Sequence, residues 1–340
     1  MSSACYVSRR LKIYLSVIAG VSVIFILFYG YSKVKTYNFK ATTFVMDTLV
    51  SIEIEGPRGG EDIINNGMKI FQNLQDKFDV NLDTSEVSKI NASSGLGPVE
   101  VSDDTLDVIK SSIEFSEISD GAFDITIGVI TKEWGFTVGK YRLPEDKVIR
   151  ELLKLVDYKN IDISDSKVEL KKRGMYLDLG GIAKGYAVDK VYDFLKSKNI
   201  KEAIIDAGGT IRTIGTGKVW KIGIKDPDGR RGVIGILSLE SGLAVATSGD
   251  YERYFVENGV RYHHLLDPRT GYPANLCRSV TVVSDSAAES DALSTAIFVL
   301  GPEKGLELAE RLGLGTVIVD KYGDIIVSDN LSKEFVRYDD

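Results

Sequence analysis

The sequence predicts an α+β fold, and three observations carry that prediction. Short β-rich segments fill the middle of the chain, helical periodicity is confined to a few blocks, and no regular strand-helix alternation runs through the whole. Apolar residues make up 44% of the 340 and charged residues 27%, a balance that builds a core and excludes a disordered chain. No Pro-rich or Ser-rich linker interrupts residues 43–335, which therefore read as one domain. Ahead of it lie a short N-terminus, 1–12, an uncharged apolar run, 13–32, and a linker, 33–42.

The apolar run "IYLSVIAGVSVIFILFYGYS" is long enough, as a helix, to cross ~30 Å of bilayer core. Tyr14, Tyr29 and Tyr31 sit near its ends, as interfacial aromatics do. Arg9, Arg10, Lys12 and the free amine precede it, which favours a cytoplasmic N-terminus and a domain outside the cytoplasm. The alternative is a cleaved signal peptide, but no small-x-small site follows the run and Cys5 lies before it. We therefore expect an uncleaved single-pass signal anchor.

Next, "TTFVMDTLVSIEIEG" alternates as a strand and ends on Gly56 and Pro57. "EDIINNGMKIFQNLQDKF" places Ile63, Ile64, Met68, Phe71 and Leu74 at helical spacing. A second helix covers "DDTLDVIKSSIEFSEIS", with Asp103 or Asp104 as its cap. "GMYLDLGG" then reads as a strand and a glycine turn feeding the helix "IAKGYAVDKVYDFLKSKN". The strands "EAIIDAGG", "VWKIGIKD", "GVIGILSL", "LAVATSG" and "SVTVVS" follow, and a last helix-strand alternation closes the chain. The net charge of −7 argues against a nucleic-acid surface, and two cysteines, Cys5 and Cys277, build neither a disulfide framework nor a cysteine-rich metal site.

Three segments carry chemistry. In "LDLGGIAKGYAVD", Gly180 and Gly181 stand where a strand gives way to a helix, with Lys184 in its first turn; this suits an anion, or is simply a turn. In "ESDALSTAIFVLG", Asp291 and Thr295 share one helical face. One carboxylate with neutral oxygens suits Mg²⁺, whereas a plain helix cap and a back-bonded threonine explain the same residues. In "RYHHLLDPRTG", His263 and His264 end a strand and point to opposite faces, so only one can enter a given pocket. That one is a natural general base, with Asp267 able to orient it, although the residues alone favour a plain surface pair.

Taken together, the chain resembles the ApbE family of flavin transferases. "FVMDTLVSI", "DGAFDITIG", "LDLGGIAKGYAVD", "IIDAGGTI", "VATSGDYERYF", "HHLLDPRTGYP" and "DALSTAIFVLG" follow one another in the family's order. The resemblance implies a single ApbE-like (T-fold-like) catalytic domain with mixed sheets and flanking helices. It implies that Met46, Ala122, Phe123, Asp124, Asp178, Lys184 and Leu265 line an FAD site. It also implies that the Gly181 carbonyl, Asp291 and Thr295 hold Mg²⁺, with Ser294 a less certain neighbour. His264, which precedes the hydrophobic-Asp-Pro turn, is implied as the base, with Asp291 beside it in the catalytic set, while His263 is implied to be incidental. Asp47 stands where many relatives carry glycine.

The implied activity is Mg²⁺-dependent transfer of FMN from FAD to a threonine hydroxyl of an acceptor protein, with release of AMP. Acceptors of the family carry an Asp-x-x-Ser/Thr-Gly-Ala-Ser/Thr motif and include membrane redox subunits and secreted flavoproteins. The membrane would be met through the N-terminal helix, with the catalytic domain on the extracytoplasmic face. The competing readings are an FAD pyrophosphatase yielding FMN and AMP, and a surface flavin-binding protein without catalysis.

Overall fold

Strand residues with alternating burial build the frame. In a computed structural model that describes residues 36–338, eight strands form one sheet whose spatial order repeats their order in the chain. They are β1 (Tyr37–Val45), β2 (Thr48–Gly56), β3 (Glu202–Ala207), β4 (Thr210–Ile214), β5 (Ala244–Gly249), β6 (Cys277–Ser284), β7 (Gly315–Asp320) and β8 (Ile325–Val327). Every registered pairing is antiparallel, for example Ile52 opposite Ile205 and Ala244 opposite Ser284. The sheets are therefore antiparallel, where mixed sheets were expected. The sole parallel contact among the described residues is an isolated bridge, Ile127 to Tyr176. Meander connections explain this, because each strand returns beside the last with no crossover to impose parallel pairing.

Period-2 alternation gives the sheet two apolar faces. Val50, Ile52, Ile54, Ala203, Ile205, Val280, Val282 and Ile318 lie under a helical layer and share its core. That layer includes α1 (Gly60–Phe78), α2 (Asp103–Ile118), α3 (Ala183–Ser197), α4 (Ala287–Leu300) and α5 (Pro302–Leu312). The opposite face presents Ile204, Ile211, Val245, Val283, Val317 and Val319 to a three-stranded sheet, Val219–Lys225, Val233–Glu240 and Phe335–Arg337. α4 is buried on nearly every side, which suits its run of alanines and aliphatics with no basic residue in its last turn.

Several local readings change. "TTFVMDTLVSIEIEG" is a hairpin rather than one strand, because Met46 and Asp47 both adopt φ near 55° and reverse the chain in a two-residue turn. Asp tolerates this left-handed backbone better than most residues, which is how it stands at a position suited to glycine. "GMYLDLGG" is extended but joins no sheet. Its Leu177 N–H and C=O are held by the Asn91 amide at 2.6 and 3.0 Å, and its Asp178 N–H by the Ile125 carbonyl at 2.8 Å. α2 starts after Ser102, with Asp103 as its first residue rather than its cap. The expected anchor, 13–32, lies outside the described residues; among the described residues no helix is long and apolar enough to cross a membrane.

Candidate active site

A cleft of about 440 Å³ opens at one end of the central sheet. Met46, Ala122, Phe123, Asp124, Asp178, Gly181, Lys184, His264, Leu265, Asp291 and Thr295 all line it, whereas Ser294, the less certain neighbour, is buried and does not. Those that line it come from five separate stretches, each held by its own local chemistry.

The β1–β2 turn supplies Met46, whose N–H donates to Gln75 Oε1 of α1 at 2.6 Å. After α2 the chain turns through Asp120 and Gly121, both at positive φ, and delivers Ala122, Phe123 and Asp124. The Asp124 carboxylate accepts from Thr126 N–H and Oγ1 at 2.8 and 2.7 Å and from Tyr158 N–H at 3.0 Å. Burial pushes its pKa up against those bonds. The side chain therefore fixes the loop that carries its neighbours.

The third stretch runs from Asp178 to Lys184. Asp178 Oδ1 accepts from Gly180 N–H at 2.8 Å, which shapes the turn into α3. Burial raises the Asp178 pKa, opposed by that bond and by the charges of Arg253 and Lys184. Gly185 lets α3 touch α4, since a Cβ there would stand 2.1 Å from the Ala287 carbonyl oxygen.

That close approach brings Asp291 onto the start of α3. Its carboxylate accepts from Gly185 N–H at 3.0 Å, from Lys184 Nζ at 3.2 and 3.3 Å, and from Thr210 Oγ1 at 3.3 Å. Asp291 does not cap α4, which corrects the simpler of the two readings. Ser286 is the cap, accepting from Glu289 N–H, and Asp189 of α3 takes the Ala287 and Ala288 N–H groups at 2.8 and 3.0 Å. Thr295 lies 3.4 Å from the Asp291 carbonyl and 3.1 Å from Ser248 Oγ.

The two histidines part company as strand geometry requires. His263 is a core residue: Nε2 donates to the Ala274 carbonyl at 2.8 Å and the ring meets Phe298 edge-on at 5.6 Å. It is not a surface residue, and it does not line the cleft. His264 faces the cleft, edge-on to Phe136. Asp267 does not orient it, because that carboxylate is engaged by Arg269 through Nε and Nη2, both at 2.8 Å. The Arg253 carbonyl does so instead, 3.2 Å from His264 Nδ1. A carbonyl only accepts, so Nδ1 carries the hydrogen and Nε2 keeps its lone pair. Burial, then the positive charge of Arg253, pushes the His264 pKa down to about 3. The imidazole is neutral across the physiological range.

Sequence reasoning passed over Gln75, Thr210, Ser248 and Arg253. Ser248 and Arg253 stand in the quoted "VATSGDYERYF", but their partners are remote in sequence and no local pattern marks them. Among the described residues no group of three His, Cys, Asp or Glu could hold a metal, so a cation here would combine the Asp291 carboxylate with carbonyl, hydroxyl and substrate oxygens.

This combination, an antiparallel α+β frame with a neutral histidine and a buried aspartate on one cleft, defines a class. Residues 46–318 match the sequence model of the ApbE family, and the chain belongs to that family. It is 37% identical over 273 residues to the FAD:protein FMN transferase of Klebsiella pneumoniae, covering 79% of this chain and 85% of that one. With the FAD:protein FMN transferase of Treponema pallidum it shares 31% identity over 330 residues, 91% of this chain and 89% of the relative. The crystal structure of the ApbE protein from Thermotoga maritima superposes with a TM-score of 0.83 at 40% identity, over 88% of this chain and 99% of that one. The flavin transferase ApbE from Vibrio cholerae gives 0.80 at 29% identity, over 88% and 100%. The protein is accordingly an enzyme of the transferase class.

Proposed function

We propose that this enzyme transfers FMN from FAD to a threonine hydroxyl of an acceptor protein and releases AMP, using Mg²⁺. The observation that supports this most is the convergence of the His264 imidazole, the Asp291 carboxylate and the Thr295 hydroxyl on one cleft large enough for an extended ligand.

The donor set fits a hard cation. Asp291 offers a carboxylate and Thr295 a hydroxyl, and a Cβ on Gly181 would lie 3.7 Å from Thr295 Oγ1, so the Gly181 main chain is close at hand. Mg²⁺ held by the Gly181 carbonyl, Asp291 and Thr295 would neutralise the FAD diphosphate and the departing AMP. Lys184 adds a second positive charge beside Asp291. Met46, Ala122, Phe123, Asp124, Asp178 and Leu265 form the walls that take FAD.

His264 Nε2 accepts the proton of the incoming threonine hydroxyl. That oxygen bonds to the phosphorus on the FMN side, the bond from that phosphorus to the bridging oxygen breaks, and AMP leaves with the bridging oxygen. A diphosphate in the cleft favours the imidazolium and so raises the basicity of His264 from its low resting value. Alignment and charge stabilisation carry the rest, as in other phosphoryl transfers.

The acceptor is an extracytoplasmic protein with an Asp-x-x-Ser/Thr-Gly-Ala-Ser/Thr motif, and the enzyme is held at the membrane by residues 13–32. The cationic flank Arg9, Arg10 and Lys12 supports this orientation.

Incubating the full-length protein with FAD, Mg²⁺ and such an acceptor, and reading AMP release with flavin fluorescence of the denatured acceptor, tests the proposal. Both signals are expected, and both should vanish with EDTA. AMP without a fluorescent acceptor would instead indicate FAD hydrolysis.

A further inference from the structure

Three hydroxyls meet at the wall of the cleft: Ser248 and Thr295 line it and Ser294 lies buried beside them. Ser248 closes the row Ala244, Ala246, Ser248 on the face of β5 that α4 covers, and it is the one polar member of that row. It is 8% exposed. Its Oγ lies 2.8 Å from Ser294 Oγ and 3.1 Å from Thr295 Oγ1.

Each hydroxyl has one hydrogen, and the carbonyl at the end of the line fixes where each points. Ser294 Oγ is 2.9 Å from the Asp291 carbonyl, which can only accept, so Ser294 donates there. Ser294 must then accept from Ser248, whose single hydrogen is thereby directed to it. Towards Thr295, Ser248 is left as an acceptor. Thr295 donates to Ser248 at 3.1 Å in preference to the Asp291 carbonyl at 3.4 Å. The outcome is a Thr295 hydroxyl whose hydrogen points into the protein and whose lone pairs face the cleft. A hydroxyl ligand of a cation needs that orientation, since the opposite one would turn its hydrogen toward positive charge.

We propose that Ser248 is a positioning residue for the divalent cation, acting by orienting the Thr295 hydroxyl; this rests on the reading of Asp291 and Thr295 as metal ligands given above. Removing the Ser248 hydroxyl leaves Thr295 only the longer contact to Asp291 and frees its hydrogen to swing into the cleft. Partners that orient a metal ligand in this way are worth about 10–100-fold in metal affinity.

The test is Mn²⁺ binding to the full-length protein by electron paramagnetic resonance, with ADP present as a diphosphate that carries no flavin to transfer. Ser248→Ala should weaken Mn²⁺ about tenfold or more, and Ser248→Thr should restore most of it. In EDTA, Ser248→Ala should keep the wild-type ADP affinity and lose no more than a few degrees of melting temperature, the cost of its two hydrogen bonds. Wild-type affinity in Ser248→Ala, alongside its loss in Asp291→Asn, would overturn the role of Ser248 while leaving the metal site standing. A weakened Mn²⁺ site accompanied by a loss of more than those few degrees in EDTA, unrescued by Ser248→Thr, would also overturn it in favour of packing. Failure of the wild-type protein to bind Mn²⁺ with ADP would overturn both the role of Ser248 and the metal reading beneath it.

Discussion

The Arg253 carbonyl accepts two hydrogens from His264, the backbone N–H at 3.0 Å and Nδ1–H at 3.2 Å. One peptide oxygen thus sets both the position of the residue and the tautomer of its ring. The hairpin that joins them, Tyr254–Glu257 with Val260–His263, keeps the two in register through Tyr254 opposite His263.

Because this arrangement leaves Nε2 to take a proton, His264→Ala should retain FAD binding and lower the transfer rate by about 10²-fold or more. Equilibrium FAD binding and AMP release, measured on the same preparation, check this. Transfer at the wild-type rate would remove His264 as the base.

The low His264 pKa sets a pH dependence for folding. Its folded value is about 3 against an ordinary 6.5, and His263 is also lowered, chiefly by burial. Between those pH values the unfolded chain holds protons that the folded protein does not, so histidine-linked stability falls as pH drops from 6.5 towards 3. Burial raises Asp124 and Asp178, and these work in the opposite sense, but they do so equally in a histidine variant. The melting temperature of the wild type minus that of His264→Gln should therefore shrink by about 3 °C between pH 7 and pH 5. A difference independent of pH would contradict the shift.

The two glycines near the start of α3 should behave oppositely. At Gly185 a Cβ meets the Ala287 main chain at 2.1 and 2.5 Å, so Gly185→Ala must part α3 from α4, at a cost of about 3 kcal/mol or more. At Gly181 a Cβ lies 3.0 Å from the Phe123 ring edge and 3.7 Å from Thr295 Oγ1, and the main-chain carbonyl is untouched. Gly181→Ala should fold with nearly wild-type stability and keep its Mg²⁺ dependence. Chemical denaturation of both variants tests the contrast.

Asp291→Asn should abolish divalent-dependent AMP release, because the amide offers a cation one neutral oxygen where the carboxylate offers two charged ones. Titrating Mg²⁺ against rate decides it. Undiminished Mg²⁺ dependence in the variant would remove Asp291 from the metal set.

The sequence was most legible where chemistry is local. Helical spacing marked α1, and the glycine pair with Lys184 marked the start of α3, since each depends on neighbours within a few residues. The family motifs brought eleven dispersed residues to one cleft, because their order along the chain survives folding. What stayed hidden was partnership over distance. The α4 amides are met by Asp189 from 98 residues away, and Ser248 reaches Thr295 across 47. A local competitor was hidden too: Arg269, two residues on, engages the Asp267 carboxylate, which is therefore not free to orient His264. The Met46–Asp47 turn was hidden for a different reason: Asp47 is a turn residue, but it has Met46 and Thr48 beside it in place of Gly or Asn, and the alternation of apolar residues runs straight through.

The central claim is that a phosphoester joins FMN to an acceptor threonine. Its most direct test is the intact mass of an acceptor carrying the motif, after incubation with the full-length enzyme, FAD and Mg²⁺, beside the same acceptor with that threonine changed to alanine. The account predicts a gain of one FMN residue on the first and none on the second. An unmodified threonine acceptor in a mixture that nonetheless releases AMP would contradict it.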